Sequence, residues 1–191
     1  ATLHALLEAF RRGELSRDEA ATRIEGLRIE QLEEFARLDL GRAARCGIPE
    51  VILAEGKTAE HLAGIVIRTV AAQGRCIVTR VSPDQAEEVQ RRCSEEGTRA
   101  DYLDLPRALV AFRIPPPEKT GGIVAILTAG TADLPAAEEA RLIAEEMGCT
   151  VRTAYDVGAA GIHRLFPALK PLLAAHVFVV CAGREGTLPS V

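Results

Sequence analysis

IVAILTAGTADLPAAEEARLIAEEMGCTVRTAYDVGAAG, residues 123–161, decides the fold. IVAILTAG (123–130) is an unbroken apolar run of strand length, the pattern of a central parallel strand covered on both faces. Asp133 caps a helix with Pro135 in its first turn; Ala137, Ala140, Ile143 and Ala144 face inward, and Gly148 ends it. TVRTAYDV (150–157) reads as a second strand. GIHRLFPALKPLLA (161–174) reads as a helix broken near Pro167 and Pro171, and HVFVVCAG (176–183) as a third buried strand. Strand–helix–strand–helix–strand with short connections predicts parallel βαβ units that close right-handed.

The first and third strands end alike. AGTADLP (129–135) and AGREGTLP (182–189) are both Ala-Gly turns running into Leu-Pro at a helix start. At the carboxyl edge of a parallel sheet such loops bring helix N-termini side by side, where doubly wound folds bind ligands and exposed N–H groups suit anions. The turns bring Gly130, Thr131, Asp133, Gly183, Arg184 and Gly186 to that edge as candidate binding residues, although Asp133 has a ready structural role as a helix cap. Ala-Gly alone also makes a turn with no ligand at all. LPSV (188–191) opens a helix that does not follow, so the native chain is expected to continue beyond this stretch.

Working outward, IPPPEKTGG (114–122) is the one Pro/Gly-rich linker candidate, and the domain boundary is placed there, giving residues 1–118 and 119–191. The first part opens as a helical hairpin. Leu3, Leu6, Leu7 and Phe10 recur at helical spacing before Gly13, and Ser16 with Glu19 has the spacing of a capping box. Residues 35–50 are charge-dense and less periodic. VILA (51–54) is a strand, followed by a helix with Leu62, Ile65, Val66 and Val70 on one face and Gly74 as its stop. RCIVTRV (75–81) repeats the pattern, with Ser82-Pro83 opening a helix and Gln85 three residues after the cap; short strands follow at 101–105 and 108–113. This is a small α/β domain behind a helical hairpin.

Composition bounds the function. Apolar residues make up 48% and charged residues 26% of 191, which excludes disorder, and no apolar run approaches the ~20 residues of a membrane-spanning helix. The first 16 residues lack the basic and apolar regions of a signal peptide. Residues 1–118 carry 17 basic and 20 acidic side chains, residues 119–191 carry 6 and 7, and aromatics are 4%. That balance argues against nucleic acid as a partner. Five cysteines, at 46, 76, 93, 149 and 181, contain no C-x-x-C pair, so neither a disulfide framework nor a zinc site is expected, and reduced cytoplasmic thiols fit.

Several side chains have chemistry to offer, each beside a bland reading. Gly56-Lys57-Thr58 between a strand and a helix resembles the end of a P-loop, but Val51 stands where that motif needs glycine. Lys57 and Thr58 either hold a phosphate or cap a solvated helix. His163, after the Gly-rich DVGAAG loop, lies on the same sheet edge as the two Ala-Gly turns; His4, His61 and His176 read as surface or structural. Glu185, flanked by Arg184 and Gly186 in the third-strand turn, is the candidate acid/base. Arg42, Arg45 and Lys57 supply positive charge in an acidic half, and are expected to help bind a phosphorylated substrate. Cys181 reads as packing. No G-x-G-x-x-G, H-E-x-x-H or G-x-S-x-G occurs.

ARLDLGRAARCGIPEVILAEGKT (36–58), LTAGTADLPAAEEA (127–140), DVGAAGIHRL (156–165) and CAGREGTLPSV (181–191) together resemble the LarB family of nickel-pincer cofactor biosynthesis. The C-terminal part is similar to the PurE-like aminoimidazole ribonucleotide carboxylase/mutase family. The resemblance implies a three-layer α/β/α sandwich with a parallel sheet, assembled as a homo-octamer; the apolar helix 161–174 leaves surface that subunits could cover. It implies carboxylation of the pyridinium ring of nicotinic acid adenine dinucleotide, with hydrolysis of its phosphoanhydride, giving pyridinium-3,5-biscarboxylic acid mononucleotide and AMP. Carbon dioxide or bicarbonate is the co-substrate, magnesium is implied, and no cofactor is tightly bound. A cysteine adds to the ring, the activated carbon attacks carbon dioxide, and a glutamate removes the ring proton. Glu185 matches that glutamate, Gly130, Thr131 and Asp133 match the first phosphate loop, and His163 matches the loop after strand two. None of the five cysteines matches the nucleophile, which in the family lies well past residue 191. Ala132 stands where the family's loop has serine, and Thr187 stands where the mutases have histidine. A mutase of purine biosynthesis and a non-catalytic nucleotide-binding module are the alternatives.

Overall fold

The computed structural model describes residues 3–27, 29–32, 36–42, 50–183 and 186–191. Helices α1 (Leu3–Arg11) and α2 (Arg17–Glu25) form the opening hairpin, with Gly13 between them at φ +74°. The capping box starts α2: Ser16 Oγ accepts the Glu19 N–H at 3.2 Å, and the Glu19 carboxylate accepts the Ser16 N–H at 2.8 Å. Those bonds satisfy donors that a helix with so little apolar surface could not shelter by packing. Strands β1 (Glu30–Leu32) and β2 (Ala36–Leu38) pair antiparallel. The second of these lies in the stretch whose sequence shows no periodicity, because a three-residue strand is too short to display one.

A four-stranded sheet follows, built from β3 (Val51–Leu53), β4 (Arg75–Thr79), β5 (Arg99–Leu103) and β6 (Ala108–Phe112) in the order β3-β4-β6-β5. Helix α3 (Ala59–Gln73) begins where Thr58 accepts the His61 N–H, and ends where Gly74, at φ +80°, donates to the Val70 carbonyl. It buries Leu62, Ile65, Val66 and Val70, the face its spacing predicts. Helix α4 (Pro83–Glu95) buries Ala86, Val89 and Cys93. Gln85, spaced as a capping-box residue, donates its amide to the carbonyls of Ala54 (3.1 Å) and Lys57 (2.7 Å), tying the β3–α3 loop to α4.

The rest is β7 (Ile123–Thr128), α5 (Leu134–Glu146), β8 (Thr150–Ala154), α6 (Ile162–Leu169) and β9 (Val177–Cys181). Both partners pair parallel with β7, in the order β8-β7-β9. The step from β7 to β8 and the step from β8 to β9 cross the sheet in opposite directions. Right-handed crossovers therefore put α5 on one face and α6 on the other, giving α/β/α layers. Ala125 and Leu127 meet Ala154, Leu165, Leu172 and Leu188 on the α6 side, while Ile126, one residue out of phase, is buried on the other. Pro167 lies inside α6, and a 3₁₀ turn (Lys170–Leu172) ends it, as the two prolines predict. The third strand departs from expectation. Among the described residues β9 has β7 as its one neighbour, and Val177 and Phe178 are exposed.

By contacts the chain divides into two compact units. One comprises Ala1–Val78, Asp84–Asp101 and Val110–Arg113; the other comprises Thr79–Pro83, Tyr102–Leu109 and Ile114–Val191. The Pro/Gly-rich stretch is fastened within the second: the Thr120 N–H and Lys119 Nζ donate to the carbonyls of Gly148 and Cys149, each at 2.9 Å. Among the described residues, no helix is long and apolar enough to cross a membrane.

Candidate functional site

Numbering the parallel strands in chain order gives 2-1-3, the start of a doubly wound sheet whose winding reverses between β7 and β9. Ligands of such folds sit at the carboxyl edge of that reversal, because the two flanking loops diverge there and leave a crevice. The loops in question are the two Ala-Gly turns. The Ala129 N–H donates to the Cys181 carbonyl at 2.9 Å, so both turns leave the sheet at one level.

Asp133 joins them. Its Oδ2 accepts the Gly130 N–H at 2.9 Å, and a Cβ built on Gly183 would lie 3.6 Å from its Oδ1. The expected role as side-chain cap of α5 is not what the structure shows. Asp133 already has helical backbone angles and caps nothing through its side chain. Its carboxylate turns back into the preceding 3₁₀ turn (Thr131–Asp133) and faces the glycines of both loops. Thr131 is exposed and Gly130 half-buried. Gly186 takes φ +58°, which favours glycine there. Arg184 and Glu185 lie outside the described residues.

The loop after β8 is knitted to the same edge. Thr128, fully buried at the end of β7, accepts the Asp156 N–H on its Oγ1 and the Val157 N–H on its carbonyl, both at 2.9 Å. Asp156 is held at φ +56°, a conformation that costs a non-glycine residue about 1–2 kcal/mol. Its carboxylate meets Arg164 Nη1 at 2.5 Å. Arg164 reaches it by folding over Gly161, where a Cβ would stand 2.7 Å from its Nε. His163, the residue before it in the first turn of α6, is exposed. Gly158 closes the arrangement: a Cβ there would stand 2.7 Å from the Ala129 carbonyl oxygen.

Sequence reading singled out His163 in this loop and missed Thr128, Asp156 and Arg164. The Asp-Val-Gly after a strand and the Arg beside His163 were visible. The left-handed turn and the ion pair that give them meaning were not.

The electrostatics separate the groups. Burial, helped by the nearby Asp133 charge, raises the Cys181 thiol, the reverse of what an activated nucleophile needs. Just past β8, burial and the hydrogen bond to Glu138 push the Tyr155 phenol up to about 12. Burial opposes ionisation of Glu138, but the hydrogen bonds from Arg141 and Tyr155 prevail and hold its carboxyl below the ordinary value. Among the described residues, no three His, Cys, Asp or Glu side chains converge as metal ligands. Among the described residues, Asp133 is the carboxylate facing the two-loop edge, a donor that magnesium would share with substrate phosphates and water.

The N-terminal candidates occupy the other compact unit. Lys57 Nζ donates to the Leu53 carbonyl at 2.7 Å, which closes its own loop, and Thr58 caps α3. Arg42 is exposed, with Glu50 3.8 Å from its Nε. Arg45 lies outside the described residues.

A family model described as the LarB/PurE-like N-terminal domain matches residues 29–113. An uncharacterized protein of Methanocaldococcus jannaschii is 38% identical over 192 residues, covering 99% of this chain and 75% of its own length. The chain belongs to the LarB/PurE-like family. That family relates it to carboxylase- and mutase-type enzymes. The LarB/PurE-like match covers the four-stranded sheet and its helices, while the relative's similarity continues through the βαβ region that carries the two Ala-Gly loops.

Proposed function

We propose that this LarB/PurE-like protein carboxylates the pyridinium ring of nicotinic acid adenine dinucleotide and hydrolyses its phosphoanhydride. The products are pyridinium-3,5-biscarboxylic acid mononucleotide and AMP. The observation that carries the proposal is Asp133, bonded to the Gly130 N–H of one Ala-Gly loop and standing beside Gly183 of the other, at the strand-order reversal.

Each part of the edge has a task in that reaction. Asp133 fixes the first loop by holding the Gly130 N–H, so the remaining loop N–H groups present a set arrangement to a substrate phosphate. Arg164 is a guanidinium held by a carboxylate at the surface, and a phosphate can compete for it in bidentate fashion. His163 stands beside it to contact the same substrate. A cysteine thiolate first adds to the ring, which makes the neighbouring carbon attack carbon dioxide; Glu185 then takes the ring proton, the thiolate leaves as the ring regains its aromaticity, and water adds across the phosphoanhydride to release AMP. The raised Cys181 thiol supports leaving that residue out of the covalent step. Arg42, Arg45, Lys57 and Thr58 are proposed to add binding energy from the N-terminal part.

The protein is proposed to act as a homo-oligomer, with Ile162 and Phe166 of α6 among its exposed apolar residues. Light scattering showing a monomer of the intact protein would count against that. Mass spectrometry of the full-length protein's products tests the reaction. Dinucleotide gaining a carboxyl group with release of AMP supports it, and turnover of aminoimidazole ribonucleotide with the dinucleotide untouched points to the mutase. Neither reaction leaves a nucleotide-binding module.

A further inference from the structure

The described residues contain three non-glycine positions with positive φ: Arg80 (+57°), Arg107 (+49°) and Asp156 (+56°). All three fall in the second compact unit, although Arg80 and Arg107 follow strands β4 and β5 in the chain. Backbone strain of this kind persists only where surrounding structure enforces it, and it gathers at ligand clamps. Here the enforcement is explicit. The Val81 N–H donates to the Arg107 carbonyl at 2.7 Å, and Arg107 Nε donates back to the Val81 carbonyl at 3.4 Å. The Tyr102 hydroxyl donates to that same carbonyl at 3.5 Å. These bonds set the Arg80–Val81 segment directly against Arg107. Both arginines are exposed. Among the described residues neither forms an ion pair, whereas Arg91, Arg141 and Arg164 each hold a carboxylate. The neighbouring Asp84 and Asp104 form none either; Asp104 supplies only its carbonyl, to the Arg107 N–H.

We propose that Arg80 and Arg107 form a second anion-binding site, separate from the carboxyl-edge loops, that takes a phosphoryl group. Two arginines whose backbones are bonded together, with no ion pair to a described carboxylate, carry uncompensated charge and N–H donors beyond the one Arg107 gives to Val81. That chemistry matches the paired oxygens of a phosphate. The site stands whichever ring the carboxyl-edge loops hold.

The backbone supplies a clean test. Glycine prefers the left-handed angles these arginines adopt, so replacing them removes the guanidiniums and the long Arg107 Nε bond while keeping the shorter bond from the Val81 N–H to the carbonyl of residue 107. Titration calorimetry of the intact protein with inorganic pyrophosphate at low ionic strength is the measurement. In the Arg80→Gly/Arg107→Gly variant the dissociation constant should rise at least ~10-fold, the scale of losing a charge-assisted hydrogen bond. Its thermal midpoint should equal or exceed the wild-type value. The same isotherm in variant and wild type, or no pyrophosphate binding to the wild type, overturns the proposal. Unchanged binding with a higher midpoint would make the two arginines turn residues and nothing more.

Discussion

Replacing Gly158 with alanine should damage both the stability and the ligand site, and the structure sets the scale. The new Cβ would stand 2.7 Å from the Ala129 carbonyl oxygen and 3.4 Å from its carbon. Ordinary contact begins near 3.4 Å, so the loops after β7 and β8 must part by about 0.7 Å. Backbone angles do not object, since Gly158 lies at φ −56°, ψ 152°, where alanine is at ease. Overpacking of this kind costs about 1–3 kcal/mol, and the reduced entropy of the unfolded chain returns about 0.4–1. A net loss of about 1–2 kcal/mol lowers the melting temperature of a chain this long by about 2–8 °C. The displaced loop carries Asp156 at one end of the crevice, and a misplacement approaching 1 Å can cost ~100-fold in turnover. Thermal unfolding followed by circular dichroism, paired with substrate titration, reads both effects. Gly130→Ala is the control, because its Cβ would meet only Asp133 Oδ2 at 3.9 Å, and its stability should change by less than about 0.5 kcal/mol. A Gly158→Ala protein as stable as the wild type would refute the close approach on which the site's geometry rests.

Gly41→Ala should be more damaging still, by at least about 2 kcal/mol in unfolding experiments, because its Cβ would lie 2.4 Å from the Gly26 carbonyl oxygen, a backbone atom that cannot step aside. Arg164→Ala should lower substrate affinity while costing no more than about 1 kcal/mol of stability, since its pair with Asp156 leaves both side chains nearly half exposed; large destabilisation with normal affinity would make the pair structural. The raised Tyr155 phenol means that its neutral form is the one favoured by folding. Its contribution is therefore complete below the ordinary phenol value near 10 and is lost as pH climbs towards about 12. Alkaline melts should show that loss, and Tyr155→Phe should remove it. Lys57→Ala should raise the Michaelis constant more than it lowers turnover; an unchanged constant would leave Lys57 as the brace of its own loop.

What the sequence disclosed follows from the range of the interactions involved. Helix α3 and strand β7 were legible because each carries its pattern within its own residues: a one-sided apolar face with Thr58 and Gly74 at its ends, and an apolar run covered on two faces. The same holds for the Ser16–Glu19 box. β9 reads as buried, yet among the described residues its first two side chains are exposed, because an apolar run does not say how many neighbours a strand has. Asp133 was read as a helix cap because position alone suggests it; its actual partner, Gly130, is set by the 3₁₀ turn. Thr128, Asp156 and Arg164 went unnoticed because their roles arise from contacts across 28 and 8 residues of chain, which no local pattern encodes. Gln85 likewise acts on carbonyls 28 and 31 residues away.

The central claim is that this protein joins carbon dioxide to the pyridinium ring of a dinucleotide, with Glu185 accepting the ring proton. Incorporation of ¹³C-labelled bicarbonate by the full-length protein, compared with its Glu185→Gln variant, tests that claim most directly. Glutamine keeps the shape and hydrogen bonding of the side chain but cannot take up the proton. Wild type should transfer label to the ring as AMP is released, and the variant should do so at least ~100-fold more slowly while still binding the dinucleotide. Labelling by the variant at the wild-type rate, or no labelling of the dinucleotide by the wild type, would contradict the account.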